Sequence, residues 1–322
     1  MNGTLTDVRG LSVGHWTDRE AATGCTVVLC GEQGAVAGVD VRGSAPGTRE
    51  TDLLHPVNAV QRIHAVLIGG GSAFGLDACG GVMRWLEARG RGVEVGPVRV
   101  PLVCGAVLFD LPVGRADVRP GAAAGAAACD AASTAAVPQG SVGAGTGATV
   151  GKMLGFERAT KSGLGTASLR LAGGVTVAAL VAVNAAGDVV DPASGAVLAG
   201  PRLPGGGFAR TSDWLREHAA AIGIGANTTL AVVATDAVLT KPEATKMAQM
   251  AHAGLARTID PVHTMLDGDT VFALATGAAG VPADVTTVGA AAATALAQAV
   301  LAAVRTASGL AGVPAASDLA TG

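Results

Sequence analysis

Short apolar runs rich in valine recur along the chain, and glycines bound most of them. Runs of this length, enriched in β-branched residues and set between turn residues, are typical of buried β-strands. The predicted strands cover residues 25–30, 36–41, 65–68, 175–183 and 230–234.

Apolar residues at helical spacing predict helices between and after these strands. Thr240 and Glu243 have the spacing of a capping box, which predicts the start of a helix that runs to about Thr258. Two layers of strands covered by helices fit this order better than an alternating βαβ array, so we predict an α/β (α+β) fold. The other predicted helices cover residues 72–89, 211–221 and 283–308.

The composition indicates a tightly packed protein. Of 322 residues, 49% are hydrophobic but only 2% are aromatic, and 48 are glycine. Small side chains therefore form most of the contacts between elements. Disorder would require fewer valines, isoleucines and leucines together with a higher net charge.

Charge and cysteine content restrict the partners and the compartment. The net charge is -3 and no Lys/Arg-rich run occurs, so we expect neither nucleic acid nor a membrane as a partner. The five cysteines form no C-x-x-C pair, and their odd number argues against a disulfide framework. With a polar N-terminal stretch that does not resemble a signal peptide, this predicts a cytoplasmic protein.

Several motifs suggest a cofactor or a metal but do not fit one. The glycines of residues 69–75 do not have dinucleotide-binding spacing. The glycine-rich run 143–152 resembles a phosphate loop, but Thr146 and Met153 occupy positions that need Gly and Ser or Thr. The six histidines are scattered, and for His263, which lies near two acids, a structural role is favoured. We therefore expect no cofactor and no metal.

The sequence Asn227-Thr228-Thr229 joins a small polar loop to an apolar strand. A threonine here is either a β-branched strand residue with a locally bonded hydroxyl, or a nucleophile freed by cleavage of the preceding bond. A freed α-amine, with a pKa of about 8, can act as the general base of such a nucleophile. Taken alone, the motif favours the strand residue.

Polar residues elsewhere shift this balance towards catalysis. Asp267 and Asp269 flank a glycine just before an apolar run, and two inward-facing acids need a partner such as Lys152 or the amine of Thr228. An isolated pair of this kind is more often a solvated turn. Asn184 follows a predicted strand and carries an amide suited to stabilise a developing oxyanion.

Long matches in order make the chain resemble the DmpA-type L-aminopeptidase/D-esterase family, which includes β-peptidyl aminopeptidases and the nylon-oligomer hydrolase. They cover almost the whole chain and are therefore specific. The matching runs are Val39–Leu54, Gly69–Glu87, Val100–Leu111, Gln139–Gly147, Asn227–Ala237 and Asp260–Gly277.

The resemblance implies a four-layer αββα sandwich, a fold shared with ornithine acetyltransferases, in a single domain that spans residues 1–322. In this family the precursor cuts itself before a Ser or Thr nucleophile and the two chains stay together. Here the cut falls between Asn227 and Thr228 and gives an α chain, 1–227, and a β chain, 228–322.

The resemblance also assigns supporting roles. It matches Lys152 to the lysine of the hydrolase with a Thr nucleophile, although Lys161 lies in a context where other members place theirs. Asn184 is matched to the oxyanion donor, and Asp267 and Asp269 to the acids that hold the nucleophile strand and balance its ammonium. The catalytic set implied is therefore Thr228, Asn184, Lys152, Asp267 and Asp269.

One position departs from the family pattern. Phe109 occupies a position where some relatives have a Tyr whose hydroxyl helps at the active site. Phenylalanine donates no hydrogen bond, so the oxyanion hole would rest on Asn184 and on backbone N–H groups.

The function implied is hydrolysis of a small peptide, amide or ester, by an aminopeptidase or amidase. Relatives suggest a homo-oligomer, commonly a tetramer or larger. Two alternatives remain open from the sequence. One is an acyltransferase of the ornithine acetyltransferase type with the same nucleophile, and the other is an unprocessed, non-catalytic small-molecule binding protein.

Overall fold

Two β-sheets lie face to face, and each carries helices on its outer surface. The computed structural model describes residues 3–218 and 227–319. In chain order the strands are β1 (Leu11–Asp18), β2 (Thr23–Cys30), β3 (Ala35–Val41), β4 (Gly47–Arg49), β5 (Arg62–Ile63), β6 (Ala65–Gly69), β7 (Val93–Val95), β8 (Val98–Val100), β9 (Val103–Val107), β10 (Thr149–Val150), β11 (Thr160–Lys161), β12 (Leu164–Arg170), β13 (Thr176–Asn184), β14 (Asp188–Val190), β15 (Val197–Ala199), β16 (Thr228–Thr235), β17 (Ile259–Asp260) and β18 (Thr270–Ala275). The helices are α1 (Ala78–Glu87), α2 (Ala122–Asp130), α3 (Thr211–Glu217), α4 (Lys241–Thr258), α5 (Val285–Arg305) and α6 (Ala316–Leu319).

The two large sheets differ in size, and each contains one parallel pair of strands among antiparallel ones. One has five strands in the order β1-β2-β6-β9-β4, and the other has six in the order β12-β13-β16-β18-β3-β5. In the six-stranded sheet, β16 is antiparallel to β13 and parallel to β18. Strand β16 is therefore central, with a neighbour on each side.

Alternating residues of β16 serve two different cores. Leu230 and Val232 face the space between the sheets, where they join Ile68 of the five-stranded sheet. Ala231 and Val233 belong to the core formed with α4 and α5. Because both faces of the strand are buried, the sequence is apolar throughout rather than alternating.

The outer face of the five-stranded sheet packs on α1 and α2. The layers are therefore helices, sheet, sheet and helices, and the predicted four-layer αββα sandwich is confirmed. All five predicted strands are present, as β2, β3, β6, β13 and β16.

The helix predictions hold with changes at their ends. Thr240 and Glu243 form the predicted capping box of α4. Residues 72–77 form a 3-10 helix and α1 begins only at Ala78. The helix predicted over 211–221 is observed as α3, which ends at Glu217; residues 219–226, with Gly223 and Gly225, lie outside the described residues.

Helix α5 is the one described helix that is long and apolar enough to cross a membrane. Its most apolar stretch is 67% buried, and its side chains form the core with the six-stranded sheet. This is the position of a core helix in a layered protein.

Candidate active site

Thr228 lies inside the molecule at the start of β16, with 3% of its surface exposed. The antiparallel pairing of β13 and β16 places it opposite Asn184, which is fully buried. Two residues predicted for the site from distant parts of the sequence therefore come together as a strand pair.

The peptide bond before Thr228 is held by the loop that leads into β18. The carbonyl oxygen of Asn227 accepts a hydrogen bond from the Gly268 N–H at 3.1 Å, and the Asn227 N–H donates to the Leu266 carbonyl at 3.2 Å. The Thr228 hydroxyl also donates to the Asn227 carbonyl oxygen. A candidate nucleophile therefore lies beside a carbonyl group whose oxygen already has a backbone donor.

Gly268 allows this close approach because it has no side chain. A Cβ at this position would lie 2.8 Å from the Thr228 hydroxyl oxygen and 2.6 Å from the Ala45 carbonyl oxygen. In the sequence this glycine is only a spacer between two acids. Its N–H and its lack of a side chain make it part of the site.

Lys152 and Asn184 form one buried polar unit. The Lys152 ammonium donates to the backbone oxygen of Asn184 at 2.9 Å and to its Oδ1 at 2.8 Å. Asn184 Oδ1 also accepts from the Thr149 N–H at 3.0 Å, and its Nδ2 donates to the Phe109 carbonyl at 3.1 Å. Since an amide nitrogen carries two hydrogens, this contact leaves Nδ2 one hydrogen with which to donate elsewhere.

Burial dominates the electrostatics of Lys152. Loss of hydration lowers the pKa of this ammonium to about 7, and the nearby carboxylates of Asp267, Asp110 and Asp269 limit the decrease. A lysine with this pKa titrates near neutral pH, whereas an exposed lysine stays protonated there.

Asp267 and Asp269 are each 1% exposed, so they do not form a solvated turn. Asp267 accepts the Ala186 N–H at 3.1 Å and the Thr264 N–H at 3.2 Å. Asp269 Oδ1 accepts the Thr229 N–H at 2.7 Å. The second acid therefore holds β16 one residue after Thr228.

Burial raises the pKa of Asp267, and the negative charge of Asp269 raises it further. Hydrogen bonds from Thr264 and Ala186 and the charge of Lys152 act in the opposite direction. The two acids repel each other, and surrounding donors keep them in place.

Lys161 lies in a different environment from Lys152. Its ammonium donates to the carbonyl oxygens of Gly145 and Ala148, each at 3.0 Å, and also to that of Ser162. Burial lowers its pKa to about 7 as well. Lys161 ties the glycine-rich segment together, whereas Lys152 contacts the residue that pairs with Thr228.

Asp110 is a buried acid that sequence reasoning missed. It accepts the Gly71 N–H and the Thr23 hydroxyl, both at 2.7 Å, and its burial raises its pKa. Its charge favours the protonated forms of Lys152 and Lys161. The one available signal was an acid placed directly after a long apolar run.

His263 contacts the site directly. Its Nδ1 lies 2.8 Å from Asp269 Oδ2, on the oxygen that does not bind Thr229. In the described parts of the chain, 3–218 and 227–319, no three His, Cys, Asp or Glu side chains are grouped as a metal site.

Comparison with known proteins decides the family. The model of peptidase family S58 matches residues 3–317. The chain belongs to peptidase family S58. It is 49% identical to an uncharacterized aminopeptidase of Mycobacterium tuberculosis, over 99% of this chain and 98% of the relative. It is 32% identical to a 6-aminohexanoate-oligomer endohydrolase of Paenarthrobacter ureafaciens, over 86% of this chain and 76% of the relative.

Solved structures of low sequence identity share the fold of this S58 chain. A β-aminopeptidase of Burkholderia sp. has a TM-score of 0.70 and 24% identity, with 98% of this chain and 91% of that chain covered. The L-aminopeptidase D-Ala-esterase/amidase of Ochrobactrum anthropi, a variant of the Ntn hydrolase fold, has a TM-score of 0.72 and 20% identity, with 95% and 88% covered. The family and the names of the aminopeptidase and endohydrolase relatives favour a peptide or amide hydrolase over the acyltransferase and over the non-catalytic binding protein.

Proposed function

We propose that the protein is a self-processing hydrolase of amide bonds with Thr228 as its nucleophile. One observation carries the proposal: the Thr228 hydroxyl and the Gly268 N–H both contact the carbonyl group of Asn227. The attacking atom and a donor for the developing oxyanion are thus both in contact with the peptide bond to be cleaved. Processing divides the chain into residues 1–227 and 228–322, which stay associated.

In the first stage the Thr228 hydroxyl attacks the carbonyl carbon of Asn227. The carbon–nitrogen bond breaks, the Thr228 nitrogen takes up the hydroxyl proton, and an ester joins the two residues. Water then hydrolyses this ester and releases the Asn227 carboxylate and a free Thr228. The Gly268 N–H stabilises the charge on the carbonyl oxygen, an effect worth about 3 kcal/mol per donor.

In the second stage the free α-amine of Thr228 takes the proton of its own hydroxyl. With a pKa of about 8, this amine can act as a base at neutral pH. The hydroxyl oxygen attacks the substrate carbonyl, the leaving amine receives the proton, and water hydrolyses the resulting acyl ester. Asn184 donates to the substrate oxyanion through its remaining N–H, and Lys152 holds Asn184 in place.

Asp267 and Asp269 support both stages. Asp269 fixes the Thr229 N–H, and therefore the position of Thr228 at the start of the strand. Asp267 holds the loop that carries Gly268, through its bonds to Ala186 and Thr264. Both acids also offset the positive charge of the new ammonium.

The names of the relatives support a substrate class. One relative is named an aminopeptidase and another a 6-aminohexanoate-oligomer endohydrolase, and both names refer to hydrolysis of amide bonds. We extend this class to the present protein, with a small peptide, amide or ester as substrate.

The proposal includes a cytoplasmic homo-oligomer, such as a tetramer. The five cysteines of the chain are all buried and unpaired, which suits a reducing compartment. Size-exclusion chromatography with light scattering measures the assembly directly.

The processing prediction is a cut between Asn227 and Thr228. We expect chains of about 22 and about 9 kDa from the 31.2-kDa precursor, with Thr228 as the first residue of the smaller chain. Intact-mass measurement and N-terminal sequencing check this. A single full-length species that hydrolyses amides would contradict the mechanism.

A second prediction uses the space at Gly268. Gly268→Ala should slow self-cleavage strongly, because the new methyl group would displace the Thr228 hydroxyl and the Ala45 carbonyl. The measurement is the fraction of cleaved chain over time on a denaturing gel.

Gly205→Ala is the matched control for this substitution. A Cβ at Gly205 would meet no atom within 4 Å, so this variant should process as the parent protein does. Processing of Gly268→Ala at the parent rate would show that the contact with Thr228 is unimportant.

A further inference from the structure

His263 is joined to the nucleophile strand through a single carboxylate. Asp269 Oδ2 accepts two hydrogen bonds from His263, one from the ring Nδ1 at 2.8 Å and one from the backbone N–H at 3.1 Å. Asp269 Oδ1 accepts the Thr229 N–H at 2.7 Å. The carboxylate is therefore held between His263 and the residue that follows Thr228.

The direction of the ring contact follows from the acceptor. An ionised carboxylate only accepts hydrogen bonds, so Nδ1 must carry the hydrogen. Asp269 is 1% exposed and the His263 side chain 18%, so this charge-assisted bond forms largely out of water.

The ring of His252, which contacts the ring of His263, carries no charge that would compete with Asp269. His252 of α4 contacts the His263 ring edge to face, with 4.8 Å between ring centroids. Burial lowers the pKa of His252 to about 4, so this ring is neutral at neutral pH. Its Nε2 bonds instead to the backbone oxygen of Asp40 at 3.0 Å. The Nδ1 hydrogen of His263 is therefore directed to Asp269.

The backbone at His263 is unusual for a residue with a side chain. Its φ of 56° lies in the left-handed region, which costs energy for most residues but is visited more often by Asn, Asp and His. This conformation brings the backbone N–H and the ring to the same carboxylate oxygen. Residues held in such conformations often cluster at functional sites.

We propose that His263 is a positioning residue of the active site. It fixes the Asp269 carboxylate, which fixes the Thr229 N–H and hence the orientation of the Thr228 hydroxyl. The bond from His263 also offsets the repulsion between Asp269 and Asp267. The inference rests on the proposed function and goes beyond it by adding a residue that touches neither substrate nor nucleophile.

The test compares His263→Ala with His263→Asn. Alanine removes the ring donor but keeps the backbone N–H. Asparagine places an amide N–H near the position of Nδ1 and tolerates the left-handed backbone. Self-cleavage rate, kcat and KM per processed chain, and Tm are measured for each variant on an aminoacyl anilide.

We expect His263→Ala to lower both the self-cleavage rate and kcat at least about tenfold, because a small displacement of a reacting atom is costly, and to change KM less than about threefold. His263→Asn should recover most of both rates. The matched control is His55→Ala, at an exposed histidine whose Nδ1 accepts a hydrogen bond from the nearby Val57 N–H, and it should behave as the parent protein.

If the parent protein is processed and active, two results would overturn the inference. One is an unchanged kcat in His263→Ala. The other is an equal loss of rate and of Tm in the Ala and Asn variants, which is the signature of a structural role. A parent protein that is neither cleaved nor active would instead refute the proposed function, so the two failures are distinguishable.

Discussion

Thr228→Ala should give a folded protein that remains one chain of 322 residues and has no measurable turnover. The substitution removes one hydroxyl and one methyl group. For an ordinary buried strand residue this would cost about 1–2 kcal/mol of stability and nothing else. In the proposed mechanism it removes the attacking atom of both stages, so processing and hydrolysis fail together.

Two further variants separate the hydroxyl from its surroundings. Thr228→Ser keeps a hydroxyl in the same place and should still cleave itself, at a changed rate. Thr229→Ala alters the neighbouring threonine but keeps the backbone N–H that bonds to Asp269. The buried Thr229 hydroxyl has no hydrogen-bond partner among the described residues, so its loss should leave a processed, active enzyme.

The measurements are intact mass and hydrolysis of an aminoacyl anilide panel for all three variants. Circular dichroism of Thr228→Ala establishes that the chain is folded, which an absence of activity alone would not do. Processing and turnover that survive in Thr228→Ala would end the hypothesis, whatever the family.

The layers of the fold could be predicted because their signals are local. A run such as that of β13 is apolar without alternation because one side of the strand faces the other sheet and the opposite side faces α5. The capping box at Thr240 fixes the start of α4 within a few residues of sequence. Such features depend on neighbours along the chain, and periodicity and composition therefore report them.

The site was only partly predictable because its geometry depends on strand register. Asn184 and Thr228 meet only because β13 and β16 pair in one register, which no spacing in the sequence specifies. Asp110 lies in the loop after β9 of the other sheet and belongs to no motif. The role of Gly268 is also invisible until the Thr228 hydroxyl is placed against it.

The second prediction with a large expected effect compares Lys152→Met with Lys161→Met. Lys152→Met should nearly abolish turnover, because it removes the ammonium that holds both oxygens of Asn184, the proposed donor to the substrate oxyanion. It should also slow processing, because Asn184 is the strand partner of Thr228. Lys161→Met should have a milder effect on both rates, since its ammonium donates to carbonyl oxygens of the glycine-rich segment and of Ser162 and not to Asn184. Initial rates and the cleaved fraction of each variant measure this difference.

The two lysines form a matched pair because burial affects them alike. Each has a pKa lowered from 10.5 to about 7 in the folded protein. Between these values the unfolded chain binds more protons than the folded one, so stability should rise with pH from about 7 to about 10. Either methionine variant removes one of these titrating groups and should reduce that rise, as urea unfolding at several pH values would show.

Both methionine variants should be less stable than the parent protein, but only one should lose turnover. The lysine replaced in that variant is the active-site lysine. Lys161→Met leaves carbonyl oxygens without their buried donor, at a cost of about 1–3 kcal/mol, and so should lower the Tm without removing a group from the site. Lys152→Met leaves Asn184 free to turn away from the substrate oxyanion. If Lys161→Met abolished turnover and Lys152→Met did not, Lys161 would be the active-site lysine and the contact between Lys152 and Asn184 would serve only folding.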